Sequence, residues 1–280
     1  DVLVKKTLHA AKKYNVKTLP AIVAVTTLGV SYLFWLYSSV AEVFSLHVFF
    51  VVLLLFFLQL FVETRKNKYI YLSALIFGLS LTHHHTILFI VPGYLFMVYP
   101  HVFEIKNKLT VFGRSFLLFF LGLTPYIYVF LAASTNPAVN WEAPTNLTGF
   151  IRLVSRAVYG TFSTGSFHPF NKLDRYFQLS NVVNTLLLDF TNAGLILIGI
   201  GFILQYRRDR QNFLRLLQFF MLSGPLFIFY AKFPVVLNFY LGVTERFLLV
   251  PYVFLTIWLG IGISGVSSFL DSRINRYTKK

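Results

Sequence analysis

The 280-residue chain has no cysteine, only ten acidic side chains, and charged residues at just 12% of its positions. Without thiols there is neither a disulfide framework nor a thiolate metal site. Soluble domains carry roughly a quarter charged residues, so a chain this poor in charge is not an ordinary water-soluble domain. Also missing are a phosphate-cradling glycine loop, paired catalytic carboxylates, a Ser-His-Asp pattern and a zincin helix, and with them the chemistry those devices carry. No charged, short apolar leader with a small-residue cleavage site opens the sequence. What remains is apolar: 56% of the residues are hydrophobic and 19% aromatic. The class is integral membrane, and the expected fold is all-α and polytopic.

The net charge of +15 sorts along the chain. Most Lys and Arg fall before Leu19, between Glu63 and Tyr69, between Pro100 and Arg114, between Gln205 and Arg215, and after Phe269. By the positive-inside rule these five segments face the cytoplasm, where anionic lipid accounts for the basic excess, and nucleic acid is not an expected partner. A crossing helix needs roughly 20 apolar residues. The alternation then predicts eight spans, at Leu19–Ser38, Phe44–Val62, Ile70–Thr82, Thr86–Tyr99, Ser115–Ala133, Leu186–Leu204, Leu216–Ala231 and Phe247–Phe269. The third and fourth are short, and fusing them into one crossing would put two basic loops on opposite sides, against the charge rule. The chain divides into a cytoplasmic basic segment (1–18, a surface-lying amphipathic helix or a plain loop), five spans (19–133), an extracytoplasmic loop (134–184) with a helix from Leu147 to Tyr159, three spans (185–272) and a basic tail (273–280).

Polar residues of unusual kind gather on the side opposite the basic loops. Glu42 is a lone carboxylate between two spans, either functional or capping the returning helix. His83, His84 and His85 form the tip of a short hairpin. Imidazoles there could ligate a metal, shuttle a proton or bind phosphate, or simply pack at the interface. Successive side chains on a helix diverge by about 100°, so phosphate or hydroxyl contact is easier than a three-histidine metal site. In the long loop, Trp141 and then Arg156 and Tyr159 suit a lipid phosphate or a sugar face, or an aromatic belt with a snorkelling arginine. Lys172, Asp174, Arg175, Lys232, Glu245 and Arg246 are further charges on that side, any of which could be a surface ion pair; Asp189 has similar standing. Asn146-Leu147-Thr148 matches a glycosylation acceptor, a tripeptide common by chance.

An ordered set of motifs resembles the polytopic protein O-mannosyltransferases of the GT-C glycosyltransferase superfamily, bacterial relatives included. The matching pieces are Phe34-Trp35 with Ala41-Glu42-Val43-Phe44-Ser45-Leu46, Gly78-Leu79-Ser80-Leu81 leading to His84-His85-Thr86, Trp141, Arg156 with Tyr159-Gly160-Thr161-Phe162, and Arg246-Phe247. The resemblance implies transfer of a mannose-like sugar from a polyprenyl-phosphate donor to a hydroxyl acceptor, protein or glycan, on the extracytoplasmic face of a bacterial plasma membrane or endoplasmic reticulum. In that family basic residues hold the lipid phosphate. Read from the residues themselves, His84, His85, Arg156 and Arg246 are candidates for the phosphate end, Glu42 and Trp141 for sugar or acceptor, and His83 and Tyr159 complete the substrate-binding set, with no metal ligands assigned, no cofactor required and a divalent cation compatible. The acidic first-loop motif of that family is missing here, so the chain is expected to be a piece lacking the main base, with Glu42 assisting. Two other classes share these features: a carrier or flippase for lipid-linked sugars, and a scaffold subunit without chemistry.

Overall fold

The structure, a computed structural model, describes residues 19–140, 142–161, 171–235 and 238–277, and all regular structure among them is helical. The elements are α1 (Leu19–Val30), α2 (Tyr32–Ser39), α3 (Phe44–Thr64), α4 (Lys68–His83), α5 (Ile87–Val102), α6 (Lys108–Gly122), α7 (Pro125–Ser134), α8 (Leu147–Val154), α9 (Lys172–Arg208), α10 (Arg210–Ser223), α11 (Pro225–Ala231), α12 (Asn238–Arg246) and α13 (Leu249–Tyr277). Segment 1–18, read as a cytoplasmic basic segment, lies outside the described residues.

Among the described residues, five helical segments are long and apolar enough to cross a membrane: α3, α6 with α7, α9, α10 with α11, and α13. The bent α1–α2 pair makes a sixth if it is one span. Such segments mark an integral membrane protein. The hairpin helices α4 and α5 are 16 residues each, short of the roughly 20 that a bilayer requires; the eight-span expectation counted both. Large apolar side chains such as Leu117, Leu131, Leu188 and Ile196 are more than half exposed, which is stable only against lipid.

The breaks have local causes. Pro125 and Pro225 each stand at the first position of a new helix, where a missing N–H costs nothing. The first expected span bends by 56° at Ser31, and the carboxylate of Asp189 accepts the free N–H of Tyr32 at 2.5 Å. A negative charge at a helix N-terminus is favourable, so Asp189 holds the break rather than a surface ion pair.

Two expected boundaries move. α9 begins at Lys172, well inside the stretch 134–184 read as loop, because Asn171 and Asp174 form a reciprocal capping box (3.0 and 2.8 Å). The helix expected from Leu147 to Tyr159 stops at Val154, since Arg156 adopts left-handed backbone (φ 55°) before a short turn of 3₁₀ helix at Ala157–Tyr159. Asn146 is its N-cap, accepting from Gly149 N at 2.8 Å.

The core lies where α3, α5, α10 and α13 meet, around Trp258, Tyr252, Phe254, Phe219 and Leu54. α9 runs along α13, and α4 packs on α3 and α6. At the α4–α6 crossing Gly78 and Gly122 face each other, and a Cβ on Gly78 would overlap the carbonyl oxygen of Phe119. Without a hydrophobic drive inside lipid, such close backbone approach is what joins membrane helices. It fixes the hairpin that carries the histidines.

Candidate functional site

The α4–α5 turn holds three imidazoles with separate anchors. His83 closes α4, and its Nε2 lies 2.7 Å from the carbonyl of Val43. A carbonyl only accepts, so Nε2 carries a proton. His85 Nε2 is 2.9 Å from the hydroxyl of Tyr126, which itself donates to the carbonyl of Leu81 at 2.9 Å. Tyr126 has one proton and spends it on Leu81, so His85 Nε2–H donates and Nδ1 is a free acceptor. His84 turns inward between the rings of Phe44 (5.1 Å) and His47 (4.9 Å).

His83, His84 and His85 line one cavity of about 720 Å³ with Arg156, Tyr126 and Phe247. Of the residues singled out from sequence, these three histidines and Arg156 are brought together. Burial, then repulsion from His83, His85 and Arg156, pushes the His84 imidazole down to about 4 from its ordinary 6.5. Burial and Arg156 lower His85 as well. At neutral pH both are uncharged and suited to hydroxyl contacts, while the Arg156 guanidinium in the same wall is a fixed positive charge. Its left-handed backbone costs of order 1 kcal/mol, a cost found most often where a side chain must be aimed.

Glu42 and Arg246 meet elsewhere. Glu42 Oε1 lies 3.0 Å from Arg246 Nη1, with both side chains about a quarter exposed, and the guanidinium sits 5.9 Å over Phe44. The turn that carries Glu42 is tied to α12 by Tyr37, whose hydroxyl donates to the Gly242 carbonyl at 3.0 Å. Glu42 does not line the large cavity, and Arg246 lines a small one beside it, with Phe44, His47, Thr86 and Phe247. Trp141 lies outside the described residues, as does the side chain of Tyr159.

Of the remaining charges, Asp174 caps α9 and Arg175 is held by its neighbours. Arg175 donates to the carbonyl of Phe229 (3.0 Å) and stacks on its ring at 4.3 Å, holding the start of α9 to the end of α11. Burial, with Asp189 second, raises the Glu245 carboxyl. Among the described residues no group of three or more His, Asp or Glu side chains could hold a metal ion. Two polar residues escaped the sequence analysis. His47 is buried within α3 at 5% exposure, and a lone imidazole in an apolar span was the available signal. Tyr126 follows the helix-starting Pro125 and had none.

Comparison with known proteins follows the same course. A family model described as the Protein O-mannosyl-transferase TMEM260 N-terminal domain matches residues 2–107, the part that includes Glu42, His47 and the histidine triplet. The chain is similar to the Protein O-mannosyl-transferase tmem260 of Dictyostelium discoideum, at 27% identity over 271 residues, covering 87% of this chain and 32% of that protein. It is also similar to the Protein O-mannosyl-transferase TMEM260 of Mus musculus, at 29% identity over 259 residues, covering 88% of this chain and 36% of that one. No solved structure matches the chain significantly. The chain spans about a third of the length of the curated relatives it resembles.

Proposed function

We propose that this chain is the donor-binding part of a membrane protein O-mannosyltransferase of GT-C type, taking mannose from a polyprenyl phosphate and passing it to a protein hydroxyl on the extracytoplasmic side. In this reading α4 and α5 are two short spans, making eight, and their histidine tip lies below the outer surface. The observation that carries the proposal is the single cavity into which His83, His84, His85 and Arg156 converge beside aromatic walls. Similarity to two proteins named O-mannosyl-transferases supports it.

The division of labour follows from charge. A phosphate leaving group gains negative charge as the sugar departs, and a fixed guanidinium in a dry site stabilises it at no reorganisation cost. Arg156 takes that role. Neutral imidazoles are poor phosphate anchors but good acceptors for hydroxyls. The Nδ1 atom of His85 is therefore assigned to a sugar or acceptor hydroxyl group, and His83 lines the same cavity. Glu42, held by Arg246 away from the large cavity, positions that arginine and is not given the part of the base. Phe89, Phe227 and Phe233 supply apolar wall for the first isoprene units.

The test is a transfer assay on the full-length protein with polyprenyl-phosphate mannose and a protein acceptor. Arg156→Ala is expected to abolish most turnover and His85→Ala to raise the KM for one of the substrates. Unchanged turnover in both retires the site. A carrier without chemistry would yield no mannosylated product from the wild type.

A further inference from the structure

The small cavity beside the large one carries its own information. About 20 Å³ in volume, it is the size that one water molecule fills. Among its lining residues are His47, Arg246 and Ser223. Two buried atoms of these residues, His47 Nδ1 and Arg246 Nε, have no hydrogen-bond partner within the protein, and leaving either dry is costly.

The hydrogen-bond polarity around them can be worked out link by link. The backbone N–H of Thr86 points to His84 Nδ1 at 3.4 Å, so Nδ1 is an acceptor. The Thr86 hydroxyl, 2.5 Å from the same nitrogen, therefore donates to it. That hydroxyl has one proton, so its contact with His47 Nε2 at 3.1 Å is a donation from His47. In the imidazole with its proton on Nε2, Nδ1 then has a bare lone pair, and both His47 and Arg246, whose Nε–H is likewise unpaired, line the cavity. Ser223 Oγ donates to the Phe219 carbonyl at 2.8 Å and keeps lone pairs to accept with. One donor and two acceptors are the complement of a single water.

We propose that a structural water occupies this cavity, accepting from Arg246 Nε and donating to His47 Nδ1 and Ser223 Oγ. It joins the Glu42–Arg246 ion pair to the chain His47–Thr86–His84. His47 becomes a positioning residue: its donation to Thr86 directs the threonine proton to His84 Nδ1, adding a second donor to the backbone N–H already aimed there and holding the ring of His84 in the wall of the large cavity. The water stands by itself. Its consequence for turnover rests on the transferase reading.

The experiment is a cryo-electron microscopy map of the full-length protein that resolves ordered waters, paired with nitrogen-15 spectra of its labelled histidines. Expected are one density peak within about 3 Å of both His47 Nδ1 and Arg246 Nε, and a single Nε2–H tautomer for His84. His47→Phe frees the threonine proton from His84 and should shift the His84 Nδ1 resonance, and His47→Gln, whose amide reaches Thr86 as Nε2 does, should restore it. An empty cavity, or direct contact between His47 and Arg246, overturns the water. A His84 spectrum indifferent to His47→Phe overturns the coupling. In the transfer assay His47→Phe is expected to lower kcat with little change in donor KM. If the wild type shows no transfer but has the density and the single tautomer, the transferase reading fails and the water survives. Transfer without the density retires the water alone.

Discussion

The two ends of the α4–α5 hairpin carry the same residue types in opposite states. At one end His101 and Arg65 meet Glu104, at 3.3 and 2.6 Å, with the Glu104 and Arg65 side chains 51% and 39% exposed. At the other end three histidines and Arg156 line a cavity walled by aromatic rings. In the first cluster the hydrogen bond from His101, then that from Arg65, holds the Glu104 carboxyl below its ordinary range. Exposed pairs of this kind add little. In the second, burial removes charge instead, leaving His84 and His85 neutral and one guanidinium to carry the field. The contrast teaches that His84 and His85 are placed for directed hydrogen bonds beside the Arg156 guanidinium, not to add positive charge.

The largest expected effect strikes the cavity end. Arg156→Ala should cut transfer by about 10²- to 10³-fold, the usual cost of one preorganised electrostatic donor, with Arg156→Lys recovering part of it, as read by product formation from polyprenyl-phosphate mannose. Equal transfer in wild type and Arg156→Ala would erase the distinction between the ends.

Acid should separate the ends next. His84 titrates near 4 when folded and near 6.5 when free, so the unfolded chain binds the proton first. Stability is therefore complete above pH 6.5 and falls as pH drops toward 4, by about 3 kcal/mol in total. Thermal melts across that window check it, and His84→Gln should flatten the curve. An unaltered acid limb in the variant contradicts the buried, neutral state.

Smaller effects follow. Glu42→Ala leaves a part-buried Arg246 without its counter-ion and should cost about 1–3 kcal/mol, below the value for a fully buried pair, in detergent unfolding. Tyr126→Phe removes one hydrogen bond at each of His85 and Leu81 and should cost about 1 kcal/mol, while His85 loses its fixed tautomer. At the other end, Glu104→Gln should leave both the melting temperature and transfer unchanged, and a marked loss of either would show that the exposed cluster matters more than its exposure allows.

Much of this architecture could be read from charge order and hydropathy. Segments such as Phe44–Thr64 and Leu249–Tyr277 are apolar runs bounded by basic residues, and the tip between α4 and α5 is marked by three histidines in a row. That tip and Arg156, from separate parts of the chain, line one cavity. Boundaries made by side chains at a distance were not legible: nothing near Ser31 announces that Asp189, far along the chain, will cap the break there. The start of α9 was hidden because Asn171 and Asp174 cap it within a stretch poor in apolar runs. His47 passed as one polar residue in an apolar span, since its meaning depends on Thr86 and Arg246 arriving from two other elements. The charge state of His84 was not legible for a related reason: burial, the main cause of its shift, is a property of the fold.

The most direct test is photolabelling of the full-length membrane protein with a polyprenyl-phosphate mannose that carries a diazirine on its first isoprene unit. Adducts are expected in segments 81–89, 123–126, 154–161 and 227–233, and should be lost when unlabelled donor competes. Adducts at the Arg65–Glu104 end, or spread over the lipid-facing sides of α6 and α9 without competition, would contradict the assignment of the histidine cavity as the donor site.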